Sequence, residues 1–399
     1  MHLLAALGRA GRPRRDGQRR LPSLSATVAA GAAALLLVWA ASLTSPWDRL
    51  EMKVFDAFTA LAAPGRSAVP VAVLSIDPAT AAQEAGGAPT TRSLHARLLD
   101  RLQADGAAAV GFDLAFDQPA GAAEDAAFER SVAAASSVVL AFAPAAAPQD
   151  ALAQAAALPL QRFLAAGAVP GDAQVRPDGD GVVRRANAHI NSFAGKLAAL
   201  ADARAARTHR AAAPSEFVVY RGPPGTFDTR PWREALEPGV LPPGFFRGKI
   251  VLVGHTLPAD RSSAVPGGLF ASPFALGAGE RHFPAVELQA TLIDNQLTGA
   301  RLRSVDSGWS PVVLMLGLPL LLAGGWRWPG AAGAFALAGA GAMVVASWLL
   351  FQRGLWWPPL FPALAVLASY AAAVGLAPRA TLRRKATVGK QTQRSPGGN

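Results

Sequence analysis

Three apolar runs in the middle of the chain lead into acidic or imidazole side chains that could bind a ligand. Asp77 follows the first run and His255 follows the third. Asp113 and Asp117 belong to the second. Each residue also has a structural interpretation, because the acids could serve turns or helix caps and His255 could be a hydrogen-bonded core imidazole.

The apolar runs are typical of buried strands, and amphipathic helical patterns lie between them. The predicted strands cover 71–77, 109–116, 138–143, 217–220 and 249–256, and the predicted helices cover 93–104, 124–135 and 194–206. This alternation predicts an α/β domain with a largely parallel sheet. In open sheets of this kind ligands lie beyond the carboxyl ends of the strands, where the four candidate residues fall.

The segment 176–185 (RPDGDGVVRR) combines acids, glycines and arginines in a predicted tight turn that feeds a strand. It resembles a calcium loop only superficially, because further oxygen ligands and a glutamate at the twelfth position are lacking. Asp180 and Arg184 are ligand-binding candidates, and Arg184 could contact an anionic ligand, although exposed pairing of the arginine with Asp178 or Asp180 is the default interpretation.

Common catalytic signatures are absent from the chain, including the phosphate-binding loop, the nucleophile elbow, the zinc-protease helix and the dinucleotide fingerprint. His255, His282 and Glu287 do not have a common zinc-ligand spacing. The sequence therefore predicts no enzyme, no metal and no cofactor. A periplasmic hydrolase that uses Asp77, Asp113 and His255 is an alternative.

The composition excludes an ordinary soluble protein, because 51% of the residues are hydrophobic and only 16% are charged. The absence of cysteine excludes disulfides and thiolate chemistry. The net charge of +11 lies entirely at the two ends, since residues 21–377 hold equal numbers of basic and acidic residues. Basic clusters beside apolar runs are typical of cytoplasmic flanks of membrane helices, so no nucleic-acid partner is predicted.

Four long, nearly uncharged stretches predict transmembrane helices, one near the N-terminus and three near the C-terminus. They cover 21–43, 307–326, 328–352 and 354–378. A cleaved signal peptide is the alternative for the first stretch, but it exceeds the usual length of such a segment. Tryptophans near the edges of the last three favour these boundaries.

The arginine and lysine bias places the basic ends, 1–20 and 379–399, in the cytoplasm, where they can lie against anionic membrane lipid. Residues 44–306 then form one extracytoplasmic domain. A helix over 47–61 should lead from the first span into this domain, and a helix over 284–297 should lead back to the second.

Five stretches together resemble the CHASE group of extracellular sensory domains, second type, found in bacterial receptors with cyclase or kinase effectors. They are VAVLSID (71–77), RSLHARLLDRLQADGAAAVGFDLAF (92–116), PDGDGVVRR (177–185), FRGKIVLVGHT (246–256) and PAVELQATLIDNQLTG (284–299). The resemblance covers about 45–300 and implies a ligand-binding sensor in the bacterial inner membrane. One span before the domain and three after it also match that family.

The matching stretches add further ligand-binding candidates, namely Arg92, His95 and Glu287. The chain departs from the family pattern at GGAPTT before Arg92, after His255, where Asp260 is a displaced candidate, and at Gln289, where the family usually has histidine. A site that depends on these positions would be altered.

The predicted function is a membrane-bound sensor that binds an unknown small-molecule or periplasmic ligand. Because only residues 379–399 follow the last predicted span, we expect it to act through a separate or lost effector of cyclase or kinase type. The alternatives are a truncated receptor cyclase or kinase and a membrane scaffold. A homodimer is expected by resemblance to receptors.

Overall fold

The computed structural model describes two compact units and most of the chain. The described residues are 24–76, 92–143, 158–185, 191–205, 215–256, 269–275, 279, 281–305 and 332–376. One unit consists of 1–48, 307–346 and 358–399, and the other, here called the α/β unit, consists of 49–306 and 347–357.

A six-stranded sheet forms the centre of the α/β unit. Its strands are β1 (Val71–Ile76), β2 (Ala109–Asp113), β3 (Val138–Phe142), β4 (Val169–Asp172), β5 (Asp228–Pro231) and β6 (Ile250–His255). They lie in the order β4-β3-β2-β6-β1-β5, and every pair is parallel. The prediction of an α/β fold with a largely parallel sheet is confirmed.

Helices cover both faces of this sheet. They are α2 (Ser45–Ala62), α3 (Arg92–Ala104), α4 (Ala122–Ala134), α5 (Gln161–Ala165), α6 (Phe193–Arg204), α7 (Trp232–Leu236) and α8 (Ala285–Thr298). Alternate residues of β1 enter two separate cores: Val73 packs with residues of α6 and α8, whereas Leu74 packs with residues of α3, α4 and α7. This alternation follows from the pleat of the strand, which points successive side chains to opposite faces.

Short strand pairs and an aromatic cluster complete the α/β unit. The pairs are β7 (Leu269–Ala271) with β8 (His282–Pro284), and β9 (Arg303–Ser304) with β10 (Leu355–Trp356). The aromatic cluster joins Phe55 and Phe58 of α2 to Phe217, Phe351 and Trp356. Trp356 is only 2% exposed, so it packs inside this unit instead of forming part of a membrane-facing aromatic belt.

Residues 217–220, which the sequence predicts as a strand, are irregular. Phe217 makes only an isolated bridge with Arg185. Tyr220 is buried, and its hydroxyl donates to the carbonyl oxygen of Val183 at 2.7 Å. The apolar character of this segment therefore reflects burial in the core.

The second unit holds the apolar helices α1 (Leu24–Ser42) and α10 (Leu360–Leu376) and most of α9 (Ala332–Phe351). Within the described residues, only Gly333–Phe351 of α9 is by itself long and apolar enough to cross a membrane. Ala29–Ser42 qualifies only jointly with Ser45–Ala62, and Leu360–Ala372 is shorter. The predicted span 307–326 and both basic ends lie outside the described residues.

Candidate functional site

The carboxyl ends of the central strands carry the candidate site. Asp113 is the last residue of β2 and lies opposite Gly254, while His255 ends β6 opposite Ile76 of β1. The three strands are neighbours although β6 comes late in the chain, and because they are parallel all three end at the same edge of the sheet. Open parallel sheets bind ligands beyond the carboxyl ends of their strands.

Asp113 lacks one hydrogen-bond partner. It is 1% exposed, and among the described residues nothing bonds to its Oδ2 atom. Burial disfavours the charged form and raises the pKa of this carboxyl from 3.8 to about 7. Near neutral pH a substantial fraction of Asp113 is therefore protonated and can donate as well as accept a hydrogen bond.

His95 of α3 also brings unsatisfied polar atoms to this region. The described structure gives neither ring nitrogen a hydrogen-bond partner, and the ring packs edge-on against Phe112 at a centroid distance of 5.9 Å. Burial, and then the neighbouring Arg92 and His255 side chains, lower its pKa from 6.5 to about 3. His95 is therefore neutral near pH 7, with one donor and one acceptor nitrogen.

His255 has one ring nitrogen fixed by the neighbouring strand. Its Nδ1 atom lies 3.1 Å from the carbonyl oxygen of Ile76, and because a carbonyl only accepts, Nδ1 carries the proton. Burial lowers the pKa of His255, and this hydrogen bond partly opposes the shift. The tautomer leaves Nε2 as an acceptor.

We refer to Asp113, His95 and His255 as the carboxyl-edge cluster, because all three lie near the ends of the central strands. Asp113 lies on the face of the sheet covered by α8, beside Gly254 and Val286, whereas His95 packs against Phe112 and Phe116 on the opposite face. Near neutral pH the three residues offer both donors and acceptors. An unpaired buried polar atom costs about 1–3 kcal/mol, which a ligand able to hydrogen-bond with it would recover. The described residues contain no group of three metal-ligating side chains, so this part of the chain offers no built metal site.

Arg92 lies beside the cluster but is held by protein groups. Its Nη2 atom donates to the carbonyl oxygen of Gln118 at 2.8 Å, and its Nε atom lies 3.5 Å from Asp125 Oδ1. The guanidinium carbon lies 4.3 Å from the ring centroid of Phe116, a cation–π arrangement. Asp117 adds a further electrostatic attraction to Arg92. This pairing gives Arg92 a role in holding α3 and α4 together.

Arg184 and Asp180 belong to a separate ion-pair cluster. Arg184 is 1% exposed and binds both carboxylate oxygens of Asp56 on α2, at 2.7 and 2.8 Å. Its other side pairs with Asp178 at 2.8 Å and with Asp180 at 2.8 and 2.9 Å. The sequence-based expectation of pairing is confirmed, but the pairs are not exposed: Asp56, distant in sequence, brings α2 over the arginine.

Glu287 lies in the first turn of α8 and is 4% exposed. Its carboxylate accepts a hydrogen bond from the backbone nitrogen of Gly225 at 2.8 Å. Burial raises its pKa from 4.5 to about 7, and the bond from Gly225 opposes part of that shift. Gln289, which replaces the family's usual histidine, donates to the carbonyl oxygen of Ala173 at 3.0 Å. The candidates Asp77 and Asp260 lie outside the described residues.

Two important residues were not identified from the sequence, Asp56 and Asp294. Asp294 is fully buried in α8 and accepts from Ser67 Oγ at 2.9 Å, from the backbone nitrogen of Ala68 at 2.8 Å and from Arg221. Asp56 follows Val54 and Phe55, and Asp294 follows Leu292 and Ile293. A carboxylate on a buried helix face requires a hydrogen-bond or ionic partner. An acid directly beside apolar residues of a helix was therefore the sequence feature from which these two residues could have been predicted.

A family model described as the CHASE2 domain matches residues 32–325. No curated protein and no solved structure matches the chain at a significant level.

Proposed function

The chain belongs to the CHASE2 domain family of sensory domains in signalling receptors, and on this basis we propose that its α/β unit binds a small polar ligand at the carboxyl-edge cluster. The observation that carries the proposal is the set of buried, unsatisfied polar atoms on Asp113, the last residue of β2, and on His95 of α3. A ligand with both donor and acceptor groups, such as a hydroxylated or amide-bearing metabolite, has the matching chemistry.

We further propose that four transmembrane helices hold this unit outside the cytoplasm of a bacterial inner membrane, with both termini inside. The apolar helices α1, α9 and α10 support three of these spans. The apolar stretch 307–326 supplies the fourth from its composition. The basic ends favour this orientation because arginine and lysine are retained on the cytoplasmic side.

Two helices tie the ligand-binding unit to the flanking apolar segments. The ion pair of Asp56 with Arg184 fastens α2, which follows α1, and Asp294 fastens α8, which precedes residues 307–326. A ligand that prefers one of two arrangements of these helices by about 1–3 kcal/mol is sufficient to bias them. In this proposal the protein has no catalytic activity of its own, and a cytoplasmic cyclase or kinase effector converts the shift into an output.

The proposal is tested with the full-length protein in neutral detergent, using tryptophan fluorescence to follow thermal unfolding in the presence of a panel of sugars, amino acids, hydroxy acids and nucleosides. A ligand present at about 100 times its dissociation constant adds about 2.7 kcal/mol to the stability of the folded state. We expect at least one compound to raise the Tm of the wild type and of the surface control Asp100→Ala, and to leave the Tm of Asp113→Ala unchanged, because alanine removes both the donor and the acceptor at position 113. The proposal would be contradicted if no compound raised the Tm of the wild type, or if every active compound raised the Tm of all three proteins equally.

A further inference from the structure

A cavity of about 630 Å³ lies in the α/β unit, and no residue of the carboxyl-edge cluster lines it. Its wall is formed by the end of α2 and the following residues up to Pro64, by 218–221, by 300–302 and by 351–354. It is large enough for a ligand of several non-hydrogen groups, since ligand cavities commonly measure about 300–1,000 Å³.

The wall of this cavity carries two unpaired positive charges. Arg301 and Arg353 are both exposed, and within the described part of the chain neither side chain forms an ion pair or a hydrogen bond. Their backbones are held side by side, because the amide of Arg303 donates to the carbonyl oxygen of Gly354 at 2.9 Å. Gly354 has a φ of 78°, and a Cβ atom there would lie 2.3 Å from the carbonyl oxygen of Arg301, so only glycine permits this approach.

Apolar and hydroxyl groups line the same cavity. Leu61, at the end of α2, is 73% exposed and adds aliphatic surface to the cavity wall. Thr59 is 5% exposed, and its hydroxyl has no partner among the described residues. An exposed aliphatic side chain next to guanidinium groups is the combination found at the boundary between lipid headgroups and acyl chains.

The position of the cavity along the chain points to the membrane surface. Phe351, which lines it, is the last residue of the apolar helix α9, and Arg353 follows two residues later. In the proposed orientation both arginines lie outside the cytoplasm, on the side where arginine is normally depleted near membrane helices. A binding role accounts for their presence there.

We propose that this cavity binds a phosphate-bearing ligand through Arg301 and Arg353, with the headgroup of an anionic phospholipid as the expected source. Guanidinium groups bind phosphate oxygens in a bidentate manner, and Leu61 and Phe351 supply apolar surface for the first carbons of the acyl chains. Only the membrane placement rests on the proposed function; the ligand of the carboxyl-edge cluster plays no part.

The test follows the thermal unfolding of the full-length protein in neutral detergent with dioctanoyl phosphatidylglycerol, with dioctanoyl phosphatidylcholine and with inorganic phosphate. The variant is Arg301→Gln/Arg353→Gln. The matched control is Arg97→Gln/Arg130→Gln, which removes the same charge from two exposed helical positions. We expect phosphatidylglycerol to raise the Tm of the wild type and the control, with an apparent dissociation constant about tenfold weaker in the variant.

The results separate the two sources of phosphate. Stabilisation by phosphatidylglycerol alone identifies the lipid headgroup, and equal stabilisation by inorganic phosphate identifies a soluble phosphate compound. If the glutamine variant is unfolded before any ligand is added, Arg301→Lys/Arg353→Lys replaces it and should keep part of the effect. If no phosphate compound shifts the wild type, or if variant and control respond alike, the arginines only complement the carbonyl ends of α2 and α9 and the inference is overturned. The metabolite panel can fail or succeed independently of this result.

Discussion

Asp113 illustrates at the scale of a single residue how burial sets the chemistry of the carboxyl-edge cluster. The pKa of its carboxyl is raised from 3.8 to about 7 in the folded state, so the folded protein binds more protons than the unfolded chain between these values. The free energy of unfolding must therefore fall as the pH rises from about 4 to about 7, because the unfolded chain gives up this proton more readily than the folded protein. The stability cost follows from burial without a charged partner.

Asp113→Asn should remove this pH-dependent loss, because asparagine resembles the protonated acid in shape. We expect the free energy of unfolding of the variant, relative to wild type, to increase by about 2–4 kcal/mol between about pH 4 and pH 8. Chemical denaturation of the full chain in detergent at both pH values measures it. His95 and Glu287 titrate equally in both proteins and cancel in the comparison. Parallel pH profiles would show that Asp113 is not buried as an acid.

Arg184 is the residue at which removal of a partner should be most costly. Its loss leaves the buried carboxylate of Asp56 with only the half-exposed Lys53, whose Nζ lies 3.5 Å from Asp56 Oδ2, and breaking a buried pair costs about 3–5 kcal/mol. Arg184→Met should therefore lower stability by that amount in thermal or chemical unfolding. The adjacent, exposed Arg185 packs over Phe217, and Arg185→Met should cost about 1 kcal/mol or less. Similar losses of stability in both variants would contradict a buried ion pair between Arg184 and Asp56.

The sequence was sufficient to predict which polar residues lie at the strand ends. A buried strand is an apolar run, and the first polar residue after the run marks the point at which the strand leaves the core. Asp113 and His255 were predicted in this way. The burial of Arg184 was not predictable, since its partner Asp56 lies 128 positions away and only the packing of α2 brings them together. Pairing across that distance is a property of tertiary structure.

The packing of α6 on β2 sets a tight constraint at the scale of elements. A Cβ atom on Gly111 of β2 would lie 2.5 Å from Leu197 Cδ1 and 2.7 Å from Phe193 Cζ. The helix would have to move away from the sheet to accommodate it. The glycine therefore fixes how closely α6 approaches the strand that ends in Asp113.

Gly111→Ala should destabilise the protein by about 1–3 kcal/mol, the usual cost of overpacking a well-filled core. Gly179→Ala is the matched control, because nothing lies within 4 Å of a Cβ atom at that position. The control should change the free energy of unfolding by about 0.5 kcal/mol or less. Equal midpoints of chemical unfolding for the two variants would show that α6 packs less closely than described.

Elements with strong periodicity were predictable, and the edge strands were not. The helices α3, α4, α6 and α8 were predicted within two residues of their bounds because their apolar faces repeat at helical spacing. The strands β4 (VPGD) and β5 (DTRP) were missed. They are short and contain proline, which is tolerated at the edge of a sheet but does not resemble a strand in the sequence.

At the scale of the whole molecule, composition and charge predicted a membrane protein with one folded α/β unit between apolar segments. The described residues contain one helix that qualifies alone as a span, together with shorter or broken candidates. Hydropathy is an average over a segment, so it identifies apolar stretches but not the helix ends. Tryptophan positions are likewise an uncertain guide to the ends of spans. Trp356, which follows α9, is buried in the aromatic cluster.

The central claim is that the α/β unit faces outward as a sensor while both ends of the chain lie inside, and cysteine labelling in intact cells tests it most directly. The chain contains no cysteine, so single substitutions give an unambiguous signal. Ala133→Cys lies at an exposed position of α4, and Thr392→Cys lies in the basic tail. We expect a membrane-impermeant maleimide to label Ala133→Cys in cells with a permeabilised outer membrane, and to label Thr392→Cys only after lysis. Labelling of Thr392→Cys before lysis, or protection of Ala133→Cys, would contradict it.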